Sequence, residues 1–218
     1  MANKAVVLLS GGLDSATTLY LARKKFSCFC LIFDYGQRHK KEIKQAKRIA
    51  EISGSRHKVI KLTLPLISSS LTNKKIAVRK NKKGIPPTYV PGRNTIFLSI
   101  ALSIAEDIGA KAIFIGANAI DFSGYPDCRP GYYHAFRKLA SLATKSGVEG
   151  KEIKISTPLI DKTKAQIIKT GIKLGVPYAL TWSCYRGGKT PCGECDSCYY
   201  RAKGFKEAGI KDPLCRQK

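Results

Sequence analysis

Acidic residues are scarce: 15 Asp and Glu stand against 39 Lys and Arg, a formal charge of +24 in 218 residues. A positive field of that size attracts nucleic acid, anionic lipid or anionic substrates. The basic residues are nevertheless spread over nearly every expected helix and loop, as in Arg38-His39-Lys40-Lys41 and Arg79-Lys80-Asn81-Lys82-Lys83. No aromatics are interleaved to stack bases, so solvated faces are favoured over a dedicated nucleic-acid surface. No apolar run approaches the ~20 residues that span a bilayer. The run after Lys4 is broken by glycines too soon for a signal peptide, and the reading is of a soluble, cytoplasmic protein with no membrane partner. There is no internal repeat. There is also no Gly-Lys-Ser/Thr ending for a Walker loop, and no third glycine for a dinucleotide fingerprint.

What is present is Ser10-Gly11-Gly12-Leu13-Asp14-Ser15, set between the apolar run Ala5-Val6-Val7-Leu8-Leu9 and the segment 16–23 with helical spacing. A buried strand ends where a helix begins. Two glycines allow a tight turn with free N–H groups, and Ser10, Asp14 and Ser15 suit the first turn of a helix. Such a helix N-terminus presents unpaired donors and about half a positive charge, so phosphate or pyrophosphate is the natural ligand. The S-G-G-x-D-S pattern resembles that of the N-type ATP pyrophosphatases, or PP-loop enzymes. The resemblance implies ATP cleaved between its α and β phosphates and a substrate oxygen activated as an adenylate.

Along the chain, strands are expected at 29–33, 58–62, 112–115 and 153–155, and helices at 41–52, 95–108, 132–145 and 163–175, the last closed by Gly175 and Pro177. Strands alternating with helices mean parallel pairing: an α/β, Rossmann-like sheet with helices on both faces and ligands beyond the carboxyl ends of its strands. The Ser-, Lys- and Pro-rich stretch from Thr63 to Thr88 reads as a mobile excursion. A boundary near Tyr178 divides residues 1–177, the ATP-binding domain, from 178–218, a cysteine-rich tail.

Eight cysteines in a cytoplasmic chain point to metal or catalysis rather than disulfides. Cys184 precedes Cys192-x-x-Cys195-x-x-Cys198 across a loop holding Gly187, Gly188 and Pro191. Four thiolates that fold into a tetrahedron make a closed, structural Zn²⁺ site, with an iron–sulfur cluster as the competing reading. Cys28 and Cys30 share one strand face and read as core. His39 and His134 read as solvated helical positions.

Together with Asp34-Tyr35-Gly36-Gln37, Val90-Pro91-Gly92-Arg93-Asn94, residues 118–129, Thr181-Trp182-Ser183-Cys184-Tyr185 and the cysteine tail through Arg201 and Gly204-Phe205, these motifs make the chain similar to the 7-cyano-7-deazaguanine synthase family. The resemblance implies an ATP- and Mg²⁺-dependent ligase of queuosine biosynthesis. It would turn 7-carboxy-7-deazaguanine and ammonia into the nitrile by adenylating first the carboxylate and then the amide, and it would act as a homodimer.

In that setting the loop and first helix, Leu9, Ser10, Gly11, Gly12, Leu13, Asp14, Ser15, Ala16, Thr17, Thr18 and Leu19, are the expected ATP-binding set. Asp14, Ser15 and Arg93 are the expected catalytic residues, and Arg93 pairs with the substrate carboxylate or a phosphate. Asp121 and Asp127 are expected at the guanine-like N–H edge, with Tyr125 or Phe122 stacked on the ring. After Asp212-Pro213 the chain has Leu214-Cys215 where the family pattern leads one to expect Thr and an aromatic. Two rival readings remain: a PP-loop tRNA-modifying enzyme of thiolase or lysidine synthetase type, and a non-catalytic zinc module that binds nucleic acid.

Overall fold

The computed structural model describes residues 3–78, 84–118 and 124–214. β1 (Lys4–Leu8) leads through the glycine loop into α1 (Leu13–Ala22). There follow β2 (Ser27–Asp34), α2 (Lys41–Ile52), β3 (Arg56–Lys61), α3 (Arg93–Asp107) and β4 (Ala112–Ile115). α4 (Pro130–Ala143), the short α5 (Lys145–Val148), β5 (Lys154–Ser156), α6 (Lys164–Lys173) and α7 (Asp196–Ala208) complete the chain.

All pairings are parallel in the order β3-β2-β1-β4-β5. The chain winds outward from β1 to β3, then crosses back so that β4 pairs with β1 on its other side, with Val6 opposite both Phe29 and Ile113. The order reverses between β1 and β4, and the carboxyl ends of those strands open a crevice there. The Ser10–Ser15 loop stands at that crevice.

The twofold repeat of a strand divides the core. Val6, Leu8, Leu31, Phe33, Ile113 and Ile115 face α3 and α4. Val7, Leu9, Cys28, Cys30 and Ile32 face the helices that carry Leu19, Ile49, Ile167 and Phe205. Phe205 and Ala208 place α7 in the same apolar cluster as α1, α2 and α6. The helix of the cysteine-rich tail is therefore seated on the sheet layer, while the cysteines form a smaller cluster with Val78 and Trp182.

Two helices begin earlier than their periodicity suggests, each for a local reason. α3 starts at Arg93 rather than near Thr95, because the Asp127 carboxylate accepts the Asn94 backbone N–H at 3.1 Å and satisfies an otherwise orphaned donor. α4 starts at Pro130, whose fixed φ and missing N–H suit the first helical position. α6 carries a reciprocal Thr163/Gln166 capping box.

The expected mobile excursion is tied down where it is described. Ser69, Ser70, Leu71 and Val78 are buried. The Arg38 guanidinium donates to the carbonyls of Ser70, Asn73, Lys74 and Ile76 at 2.7–3.2 Å. One side chain with five donors in a rigid fork does what a regular element would do for those carbonyls, and no periodicity announces it. Among the described residues, no helix is long and apolar enough to cross a membrane.

Candidate active site and metal centre

The loop is braced by its own hydroxyls. Ser10 Oγ and Ser15 Oγ lie 3.0 Å apart, Ser15 Oγ accepts the Ser10 N–H at 3.2 Å and donates to the Gly12 carbonyl at 3.1 Å. No side chain caps α1 at Gly12, so the amides of its first turn face the crevice uncapped. Gly11 sits at φ +84°, and a Cβ there would collide with the Glu42 carbonyl oxygen and stand 2.9 Å from the Ala46 nitrogen of α2. A Cβ on Gly116, just past β4, would stand 2.9 Å from the backbone of Asp14 and Ser15. Both glycines let neighbouring backbone close on the loop.

Gly11→Ala is accordingly expected to cost about 1–3 kcal/mol from backbone strain alone, and to abolish ATP binding. Urea denaturation and calorimetric titration with ATP check this; a variant with native midpoint and affinity would show that the loop tolerates the change.

A cavity of about 300 Å³ opens at the loop, within the size range of small-ligand sites. Ser10, Gly12, Asp14 and Ser15 form one wall, and Arg93, Asn94, Tyr125 and Cys128 another. Tyr35, Phe97, Tyr185 and Trp182 supply aromatic surface. Leu9 and Leu13 also line it, whereas Ala16, Thr17, Thr18 and Leu19 are buried behind the wall. Thr17 Oγ1 is 2.8 Å from the Tyr178 hydroxyl and donates to the Leu13 carbonyl.

Arg93 reaches the cavity from the first turn of α3, and its guanidinium donates to the Tyr35 hydroxyl at 3.3 Å. Tyr125 is buried, its hydroxyl 2.6 Å from Thr88 Oγ1. Asp127 stands apart from these two. Its carboxylate caps α3, its carbonyl accepts Asn94 Nδ2 at 3.0 Å, and it does not line the cavity. Asp121 and Phe122 lie outside the described residues.

Sequence reading missed three residues of the cavity wall. Lys164, at the start of α6, donates to both carboxylate oxygens of Asp14 at 2.9 and 2.8 Å. The two are 150 positions apart, and the only local signal was the cap of α6 beside it. Glu42, in the first turn of α2, is pushed up to about 8 by burial, against the opposing charge of Arg93 and with a smaller upward push from Cys184. Tyr185 adds a half-buried ring beside Tyr125. His39, read as solvated, packs against Gly187, and burial lowers its pKa. The Cys128 thiol is raised to about 11, chiefly by burial, which leaves it protonated and a poor nucleophile at neutral pH.

At the other end of the tail, the Sγ atoms of Cys184, Cys192, Cys195 and Cys198 all lie within 4.8 Å of one another. The Cys192 and Cys198 sulfurs are 3.9 Å apart. Tetrahedral Zn–S bonds of about 2.3 Å separate sulfurs by about 3.8 Å, so the donor set fits such a metal. Backbone N–H groups of Cys192, Glu194 and Cys195 point at cluster sulfurs at 3.4–3.5 Å, the outer hydrogen bonding that steadies thiolate ligands. Four protein thiolates leave no position for substrate, so a metal here holds structure. It is coupled to the loop: the Trp182 N–H donates to the Gly11 carbonyl at 2.9 Å, and the Trp182 indole donates to the Cys184 carbonyl at 3.0 Å.

A parallel α/β sheet, an uncapped glycine loop at its switch point and a closed cluster of four cysteines define an α/β protein whose loop suits an anionic ligand and whose tail carries a donor set that fits a metal. A family model described as "Queuosine biosynthesis protein QueC" matches residues 4–209, and the chain belongs to that family. A "7-cyano-7-deazaguanine synthase" of Methylococcus capsulatus is 57% identical over 215 residues, covering 96% of each chain. One from Thermoplasma volcanium is 52% identical over 220 residues, covering 98% of this chain and 91% of its own. Among solved structures, a predicted tRNA methyltransferase subunit from Methanocaldococcus jannaschii superposes with a TM-score of 0.51 at 15% identity over 99% of this chain and 93% of its own, a likeness of fold.

Proposed function

We propose that this chain is an ATP-dependent carbon–nitrogen ligase that converts 7-carboxy-7-deazaguanine and ammonia to 7-cyano-7-deazaguanine, releasing AMP and pyrophosphate. The observation that carries it is the intact loop, open to a cavity that also holds Arg93 and a set of aromatic rings. The identity of 52–57% to curated synthases over nearly the whole chain supports the substrate.

A carboxylate is a poor electrophile, and adenylation gives it a leaving group. The Ser10–Ser15 loop holds the phosphates through backbone N–H groups and hydroxyls. Asp14 would hold a Mg²⁺ ion, which would supply neutralising charge for the departing pyrophosphate. Lys164 is placed to exchange its Asp14 contact for a phosphate oxygen, freeing the carboxylate for the cation. Arg93 pairs with the substrate carboxylate, since its planar fork matches two oxygens. Tyr125, with Tyr35 and Tyr185, packs on the deazaguanine ring. Zinc is the proposed occupant of the cysteine cluster, and a cytoplasmic homodimer follows from the family resemblance.

The test is to incubate purified protein with ATP, Mg²⁺, ammonium and 7-carboxy-7-deazaguanine and to identify products by mass spectrometry. Nitrile with AMP is expected, and Asp14→Ala is expected to abolish both. No turnover by folded, metal-replete protein would overturn the reading and make tRNA the next substrate to try.

A further inference from the structure

Among the described residues two carboxylates line the cavity, and they differ in company. Asp14 is clamped by Lys164, whereas Glu42 makes no hydrogen bond or ion pair with any described residue. Its surroundings are the Arg93 guanidinium from α3, the Tyr35 hydroxyl beyond β2, and Tyr185 and Cys184 from the tail. Arg93 acts on it through its charge without forming an ion pair. Burial therefore leaves Glu42 holding its proton near neutral pH in the empty cavity, and a ligand cation beside it favours the ionised form. The backbone of the first turn of α2 closes on the phosphate loop, the Glu42 carbonyl oxygen lying where a Cβ on Gly11 would stand.

The proposed reaction brings such a cation. Its nitrogen donor is ammonium at neutral pH, which has no lone pair until it loses a proton. We propose, resting on the ligase reading above, that Glu42 binds ammonium in the cavity it lines together with Arg93 and serves as the base that takes protons from nitrogen.

The balance closes without an oxidant or reductant. Ammonium gives one proton to the Glu42 carboxylate, and the freed lone pair forms a C–N bond to the adenylated carboxyl carbon. The C–O bond to AMP then breaks with its electron pair on AMP, while a second N–H proton leaves to the AMP phosphate or water. In the nitrile-forming half the amide oxygen carries AMP. One amide N–H proton leaves to water as the imidate forms; the C–O bond of the imidate then breaks with the pair on AMP, the remaining N–H proton passes to the Glu42 carboxylate, which has returned its first proton to solvent, and the C≡N bond forms. Both halves leave a proton on the nitrogen side of the carbon. Arg93, on the oxygen side, is always protonated and cannot take it.

Glu42→Gln keeps the size and removes the charge, and Glu42→Asp keeps the charge on a shorter stem. Substrate-dependent exchange of labelled pyrophosphate into ATP, without ammonium, reports adenylation and folding together. For Glu42→Gln that exchange is expected to stay within about twofold of wild type, while kcat/KM for ammonium falls by about 10²–10⁴, the usual worth of a general base. Hydroxylamine, already neutral at the assay pH, is expected to restore product as the hydroxamate, and Glu42→Asp to fall between. An unchanged kcat/KM for ammonium in Glu42→Gln overturns the proposal, and so does a parallel loss of exchange and of hydroxamate, which marks a purely structural role. A wild-type enzyme that makes neither amide nor nitrile overturns the ligase reading instead.

Discussion

Replacing Cys195 by Ser is expected to release the metal proposed for the cysteine cluster and to unfold the segment from Trp182 to Cys198. Cys195 is buried in a cluster with Cys184, Cys198, Val78 and Trp182, so the segment's apolar content is small and its order depends on the ligands. Structural Zn²⁺ binding is worth on the order of 10 kcal/mol in small sites, comparable with the whole stability of a domain at about 5–15 kcal/mol. A loss of that size cannot be absorbed by a cluster of five residues.

The effect should reach the phosphate loop, because Trp182 is bonded to Gly11. ATP affinity is therefore expected to fall with the metal. Trp182 is the only tryptophan in the chain, so a red shift of its emission follows the segment directly. Metal content by mass spectrometry gives the second readout. Full metal occupancy with unshifted emission in Cys195→Ser would mean that three thiolates and packing suffice.

Asp212→Ala is expected to destabilise the protein by about 3–5 kcal/mol, the cost of leaving one member of a buried ion pair uncompensated. Arg201 and Asp212 are 5% and 7% exposed and meet through two bonds of 2.7 and 2.9 Å. The same guanidinium donates to Thr181 Oγ1 at 2.7 Å and to the Tyr178 carbonyl. It thus ties α7 to the chain end and to the entry of the tail at once.

The double replacement Arg201→Met with Asp212→Leu is expected to recover most of the loss, since it removes both charges. Urea midpoints of the three variants decide it. A midpoint for Asp212→Ala equal to wild type would mean that Thr181 and Tyr178 satisfy the guanidinium alone. The unusual residues after Asp212-Pro213 therefore leave the Asp212 contact in place, while Cys215 lies outside the described residues.

How far the chain could be read depended on how local each signal was. Parallel α/β order, all five strands and the stripe Ile43, Ala46, Ile49, Ala50 on α2 were legible, because strand and helix periods are written in adjacent residues. So were the loop and the cysteine spacing, since neighbouring positions must cradle one ligand. Asp127 shows the limit: an acid in a polar loop reads equally as ligand or cap, and only the approach of Asn94, 33 positions away, puts it at a helix end.

By itself the sequence determined the sheet, the glycine loop at its switch point and the four-cysteine cluster, each specified by residues close together in the chain. Tertiary structure alone decided that Lys164 meets Asp14, that Glu42 faces the cavity near Arg93 without an ion-pair partner, and that Arg38 holds four distant carbonyls. These are pairings of charge across crossover connections. Which carboxylate finds a cation and which is left open depends on how helices dock on the sheet, and no pattern along the chain encodes that distance.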